Sequence, residues 1–172
     1  MKDYILLLPI LFIFHDMEEI IGFGRFFKKN PDLFERFPKI TAAYKNYHTD
    51  AMAIAVYEEF IPFFGISLLT YFFPGKILNA LWFAMMLSFA AHLVIHLGQS
   101  IYIRKCIPSL ITSIICLPVS GIILINCIPY MEFDAQTMIC IILGIVLMIA
   151  NLKLAHMLMH WFNRKHHGSE TI

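Results

Sequence analysis

The sequence predicts an all-α fold, a polytopic transmembrane helical bundle of about five spans, in a single domain covering residues 1–172. Three observations carry this. Hydrophobic residues make up 59% of the chain, against roughly 45–50% in soluble domains, and the mean hydropathy is +0.72. Apolar stretches recur that each reach the roughly 20 residues needed to cross ~30 Å of hydrocarbon. The charged residues, 15% of the total, gather mostly between those stretches.

Taken in order, the first span runs from about Tyr4 to Gly24. Met1-Lys2 before an apolar run resembles a signal peptide, but no small-x-small cleavage site follows and Asp16, Glu18 and Glu19 interrupt the exit, so the stretch reads as a span. A polar connection covers about 25–50. Within it Asn30-Pro31-Asp32 reads as a helix start, with Asn as cap and Pro in the first turn. Leu33, Phe34 and Phe37 are then expected on the membrane surface among Lys28, Lys29, Arg36 and Lys39. The second span is Ala51 to Phe73, closed by the turn Pro74-Gly75. The third is Ile77 to Ile103. The fourth, Ile107 to Ile128, carries Pro118 as a kink. The acidic turn Glu132-Phe133-Asp134 leads to the fifth, Thr137 to Phe162, and a short tail, 163–172, follows. Gly98 and Ala55 are expected at close helix crossings. There is no internal repeat.

Five spans place the termini on opposite sides. Arg25, Lys28, Lys29, Arg36, Lys39, Lys45, Arg104, Lys105, Arg164 and Lys165 fall on one side, and Lys2 and Lys76 on the other. Positive loops stay in the cytoplasm, so the N-terminus is expected outside and the C-terminus inside. The formal net charge of +1 gives no basis for nucleic-acid binding. The four cysteines show no CxxC spacing, and those in apolar runs read as small buried hydrophobes without a disulfide framework.

Ionisable residues inside the spans are the exception that needs a reason, since each costs roughly 2.5–3.5 kcal/mol at mid-membrane. His15-Asp16-Met17-Glu18-Glu19 lies in the first span. Residues three and four apart share a helix face, so His15, Glu18 and Glu19 point one way and Asp16 to the side. Glu58-Glu59 lies in the second span, and His92 and His96, an i, i+4 pair, in the third. Ser88 and Gln99 extend that face and are candidates to orient the histidines. Lys153, His156 and His160 share a face of the fifth span. At about 1.5 Å per residue these groups fall mainly in the cytoplasmic half, while the outer half is nearly bare. Imidazoles beside carboxylates are what a borderline or hard metal ion selects. The alternatives are a buried ion-pair cluster for His15, Glu18 and Glu19, a helix–helix hydrogen bond for Glu58 and Glu59, and satisfied core or interfacial histidines. His48 and Asp50 read as capping or surface residues, and His166 and His167 as tail residues.

His15-x-x-Glu18-Glu19, Glu58-Glu59 and His92-x-x-x-His96-x-x-Gln99, followed by Pro108 and Thr112, resemble the HXXEE-motif family of small bacterial membrane proteins. The resemblance covers most of the chain. It implies a multi-pass protein of a bacterial cell (plasma) membrane and a catalytic, metal-dependent role; no activity is established for the family. Where many members carry Pro-Gly after the third span, this chain has Pro108-Ser109.

The expected function is an intramembrane metal-dependent enzyme, a hydrolase or acyltransferase acting on a lipid or other amphipathic small molecule. The expected metal ligands are His15, Glu18, Glu19, Glu59, His92 and His96. Glu18, Glu19 and Glu58 are the candidates for acid–base work, and His156, His160, Lys153 and Gln99 are possible additions. The cofactor is a divalent metal, zinc first and a di-iron pair second. A di-iron oxidase or hydroxylase of acyl chains is one alternative. A metal or proton transporter is the other, although it should carry ionisable groups through both membrane halves.

Overall fold

The computed structural model describes residues 1–45, 47–166 and 168. His167, assigned above to the tail, lies outside the described residues. Helices account for nearly all the rest: α1 Lys2–Ile5, α2 Leu7–Lys29, α3 Leu33–Arg36, α4 Pro38–Thr41, α5 Thr49–Phe72, α6 Lys76–Ile103, α7 Leu110–Cys127 and α8 Ala135–His166, with short 3-10 turns at Ala42–Tyr44 and Ile128–Tyr130. Among the described residues there is no strand. The apolar stretch formed by α7 and its following turn, together with α5, α6 and α8, gives four helices long and apolar enough to cross a membrane. Helix α2 has 23 residues, long enough at about 1.5 Å each, and differs in burying charged residues.

Local chemistry sets the breaks. Pro9 sits in the first turn of α2, where its missing N–H has no partner to lose. Pro62 inside α5 and Pro118 inside α7 each free a carbonyl one turn earlier. Arg104 ends α6 in the left-handed region at φ 58, and the Lys105 N–H returns to the Ser100 carbonyl. At the start of α8, Asp134 accepts the Thr137 N–H at 3.0 Å. Helix α8 continues to His166, so the expected tail begins later than position 163, and the His166 ring stacks on Phe162.

The short connection departs from expectation. Asn30 closes α2, its N–H on the Phe27 carbonyl and its side chain on the Phe26 carbonyl, and it does not cap α3. Leu33 is buried against Ile103 and Ile107, not spread on the membrane surface. A small apolar contact with the α6–α7 turn outcompetes the interface there.

Helix α6 is the centre of the bundle, packed on α5, α7 and α8, while α2 lies between α5 and α7. Two glycines set the closest approaches. A Cβ at Gly144 would stand 2.6 Å from that of Ala84, and one at Gly22 would stand 2.4 Å from that of Pro108. Gly98 meets nothing within 4 Å, so it is not at a crossing; it lies on an exposed face of α6. Ala55 is buried. At one end of the bundle Lys105 bonds Asn30 and Phe37 packs edge-on to Tyr102. At the other, Lys76 pairs with Asp134 and with Glu132, and Trp82 donates to the Ile5 carbonyl at 3.0 Å.

Candidate metal centre

Three faces of α2 serve three neighbours. His15 and Glu19, one turn apart, reach α6, where Glu19 Oε1 stands 2.8 Å from His96 Nε2 and 3.7 Å from His15 Nε2. Glu18 turns to α7. Asp16 turns to α5, where it is buried and close enough to interact electrostatically with Glu59 and Glu19. The expectation that Asp16 points aside holds only relative to His15, because α5 covers that side.

His92 and His96 stand on one face of α6 as their spacing predicts, with Nε2 atoms 2.8 Å apart. His15, Glu19, His92 and His96 can each offer one ligand atom, all within 4.8 Å of one another. In a tetrahedral site with bonds of about 2.0–2.1 Å, ligand atoms stand roughly 3.3 Å apart, so this spacing suits one ion. His15, Glu19 and His96 are buried, and His15 Nε2 has no hydrogen-bond partner among the described residues, with Glu19 Oε1 standing 3.7 Å away. Leaving such a nitrogen unpaired in a protein interior is costly. A cation among the four side chains would satisfy it.

A second layer decides how His15 presents itself. Thr112 is the third residue of α7, and its N–H lacks a partner inside the helix. Glu18 Oε2 accepts that N–H at 2.8 Å and the Thr112 hydroxyl at 2.6 Å. The hydroxyl has one proton and donates it in the hydrogen bond to the carboxylate, so at 2.9 Å from His15 Nδ1 it accepts. His15 therefore carries its proton on Nδ1 and turns a bare Nε2 to the cluster. Gln99 Oε1 lies 3.2 Å from His96 Nδ1 and fixes that ring in the same sense.

The other expected residues sort as follows. Glu18 stands outside the four-residue cluster, bound to Thr112. Glu59 lies behind it, near Glu19, Asp16 and Glu58. Glu58 is half-buried, one carboxylate oxygen unpartnered. His156 is near enough to interact with Glu19 and with His92, and His160 lies one turn further on. Lys153 is exposed on α8 and does not close an ion pair with the cluster. Ser88 bonds the Ala84 carbonyl of its own helix, not a histidine. Asp50, the second residue of α5, accepts the Ala51 N–H at 2.9 Å, and among the described residues no side chain caps the helix at His48.

Residue spacing alone missed Asp16 and gave Thr112 no role; its place in the resemblance was the available signal. It also missed an aromatic layer. Phe12, Phe63 and Phe89, all buried, pack on one another just beyond the cluster, with Phe12 and Phe63 stacked at 4.4 Å and Phe89 edge-on to His15. This layer stands between the cluster and the end of the bundle that holds Lys76.

Ser109, just before α7, holds φ 100, a region that favours glycine. No curated protein and no solved structure matches the chain. Residues 6–123 match the family described as "Protein of unknown function with HXXEE motif". That match takes in α2, α5, α6 and most of α7, with the four clustered residues and Thr112, and the chain belongs to the HXXEE-motif family.

Proposed function

We propose that the protein is a metal-dependent enzyme of the membrane, a hydrolase or acyltransferase acting on a lipid-like substrate. The convergence of His15, His92, His96 and Glu19 on one buried point carries the reading. A divalent metal there, zinc by preference for three imidazoles and a carboxylate, supplies Lewis acidity to polarise a carbonyl or activate a water. Glu19 either completes the ligand set or takes the proton. Glu18 and Thr112 hold His15 in register. The chain has five spans in this reading, α2 included, with the N-terminus outside and the cluster nearer the cytoplasmic face of a bacterial plasma membrane. The aromatic layer favours an enzyme approached from one side over a transporter, which needs a polar route past Phe12, Phe63 and Phe89.

A two-metal centre, the di-iron oxidase reading, has one observation of its own. Asp16 is buried with an unpartnered Oδ2, and Asp16 and Glu59 both adjoin Glu19. Elemental analysis of protein purified without chelators or a polyhistidine tag decides. One zinc per chain, lost in His92→Ala and in His96→Ala, is expected. Two irons favour the oxidase. Background metal in the wild type retires both.

A further inference from the structure

A cavity of about 580 Å³ opens between the C-terminal part of α8 and the connection that precedes α5. Lys45 and His48 line it from the connection, and His160 and Arg164 from α8. Met157 and Trp161 supply apolar wall between them. No acidic residue lines it among the described residues. It lies at the end of the bundle where ten of the Lys and Arg residues collect.

We propose that this cavity holds the phosphate-bearing head group of an anionic lipid. Two permanent cations and two imidazoles, drawn from two segments, converge on a space large enough for such a group. An arginine fork matches phosphate oxygens two at a time, and lysine adds a point charge. The apolar wall continues along α8, where an acyl chain would lie. His160 is one helical turn from His156, and His156 neighbours His92 and Glu19. A lipid anchored by its phosphate at Lys45 and Arg164 thus has its glycerol and ester region on the side toward the metal cluster. This assigns a substrate class to the enzyme proposed above and rests on that reading for its catalytic meaning, while the binding stands by itself.

The test uses the whole protein in neutral detergent in a Trp82→Phe background. The chain has two tryptophans, so emission then reports Trp161 in the cavity wall. Short-chain phosphatidic acid, phosphatidylcholine of the same chains, and inorganic phosphate are titrated in turn. Phosphatidic acid should shift the emission at a concentration roughly ten- to a hundredfold below that of phosphatidylcholine, the factor expected for the further charge-assisted hydrogen bond to its unesterified phosphate oxygen, with no choline cation to repel Lys45 and Arg164. Lys45→Gln with Arg164→Gln should abolish that preference while metal content and Tm stay at the wild-type level, and Lys45→Arg with Arg164→Lys should keep it. Equal response to the two lipids overturns the proposal, as does a Gln double variant that keeps the preference. Inorganic phosphate acting as strongly as phosphatidic acid overturns it too, because the cavity would then be a free-anion site. Should the Gln variant fail to fold, the comparison of lipids on the Trp82→Phe protein alone still decides, and should that protein fail to fold, the same comparison is read from the combined emission of both tryptophans in the wild type. A wild type that holds no metal yet prefers phosphatidic acid would retire the metalloenzyme and leave the head-group site standing.

Discussion

Thr112 determines which nitrogen of His15 is left bare. Its hydroxyl donates a hydrogen bond to Glu18 and accepts one from Nδ1, so the adjacent glutamates divide their labour: Glu19 at the cluster, Glu18 one layer out. Glu19→Gln should therefore remove most bound metal. Glu18→Gln keeps an acceptor for Thr112 and should retain metal. Thr112→Val loses the relay and should weaken metal binding by about ten- to a hundredfold, the usual cost of removing a ligand's outer partner. Metal content and competition with a chelator of known affinity check the series; a Glu18→Gln variant emptier than Glu19→Gln would reverse the assignment. The sequence places both glutamates on the His15 side of α2 but cannot separate them. Spacing fixes angles within a helix, and only packing tells which face meets which neighbour. For the same reason Asp16 reads as turned aside from His15 and is nonetheless buried against α5. His92 and His96 were legible outright, since both lie on one helix and their i, i+4 spacing brings the rings together without reference to any other element.

At the scale of the elements, hydropathy finds the helices to within a few residues and misjudges the crossings. Gly98 and Gly144 are alike as letters, yet only Gly144 has another helix against it. A substitution pair separates them. Gly144→Val should pry α8 from α6 and lower the Tm by several degrees or prevent folding. Gly98→Ala, in open space on a helix interior, should gain roughly 0.5–1 kcal/mol through helix propensity. Thermal unfolding in detergent reads both, and a destabilised Gly98→Ala would mean that its face is occupied. The start of α8 makes a second prediction. The Asp134 carboxylate bonds Lys76 and also caps Thr137, which holds its pKa down to about 2, below the ordinary carboxylate value near 3.9. A depressed folded pKa contributes stability that is full above about pH 4 and is lost as pH falls toward 2. Wild-type Tm should therefore fall across that window relative to Asp134→Asn, whose side chain cannot titrate. Parallel curves would show that the pairing adds nothing.

For the molecule as a whole, charge and aromatic packing describe the same polarity. The cations collect at the end reached by the C-termini of α2, α6 and α8, and the His/Glu cluster lies nearer that end than the other. Beyond Phe12, Phe63 and Phe89 the helices carry no Asp, Glu, His, Lys or Arg until the Lys76 end. A bundle that crosses the membrane with this asymmetry should orient by its basic loops. In a variant freed of native cysteines, Glu132→Cys should be labelled from outside intact cells by an impermeant maleimide, and Lys28→Cys only after permeabilisation. The two positions mark opposite ends of the bundle, Glu132 beside Lys76 and Lys28 in the last turn of α2, so each controls for the other. If Lys28→Cys reacts in intact cells and Glu132→Cys does not, the bundle is inverted. The His/Glu cluster and the cationic cavity would then face the outside, and the proposed lipid would have to come from the outer leaflet. If both react before permeabilisation, one of α5, α6 and α7 does not cross, because these three helices separate the two positions along the chain.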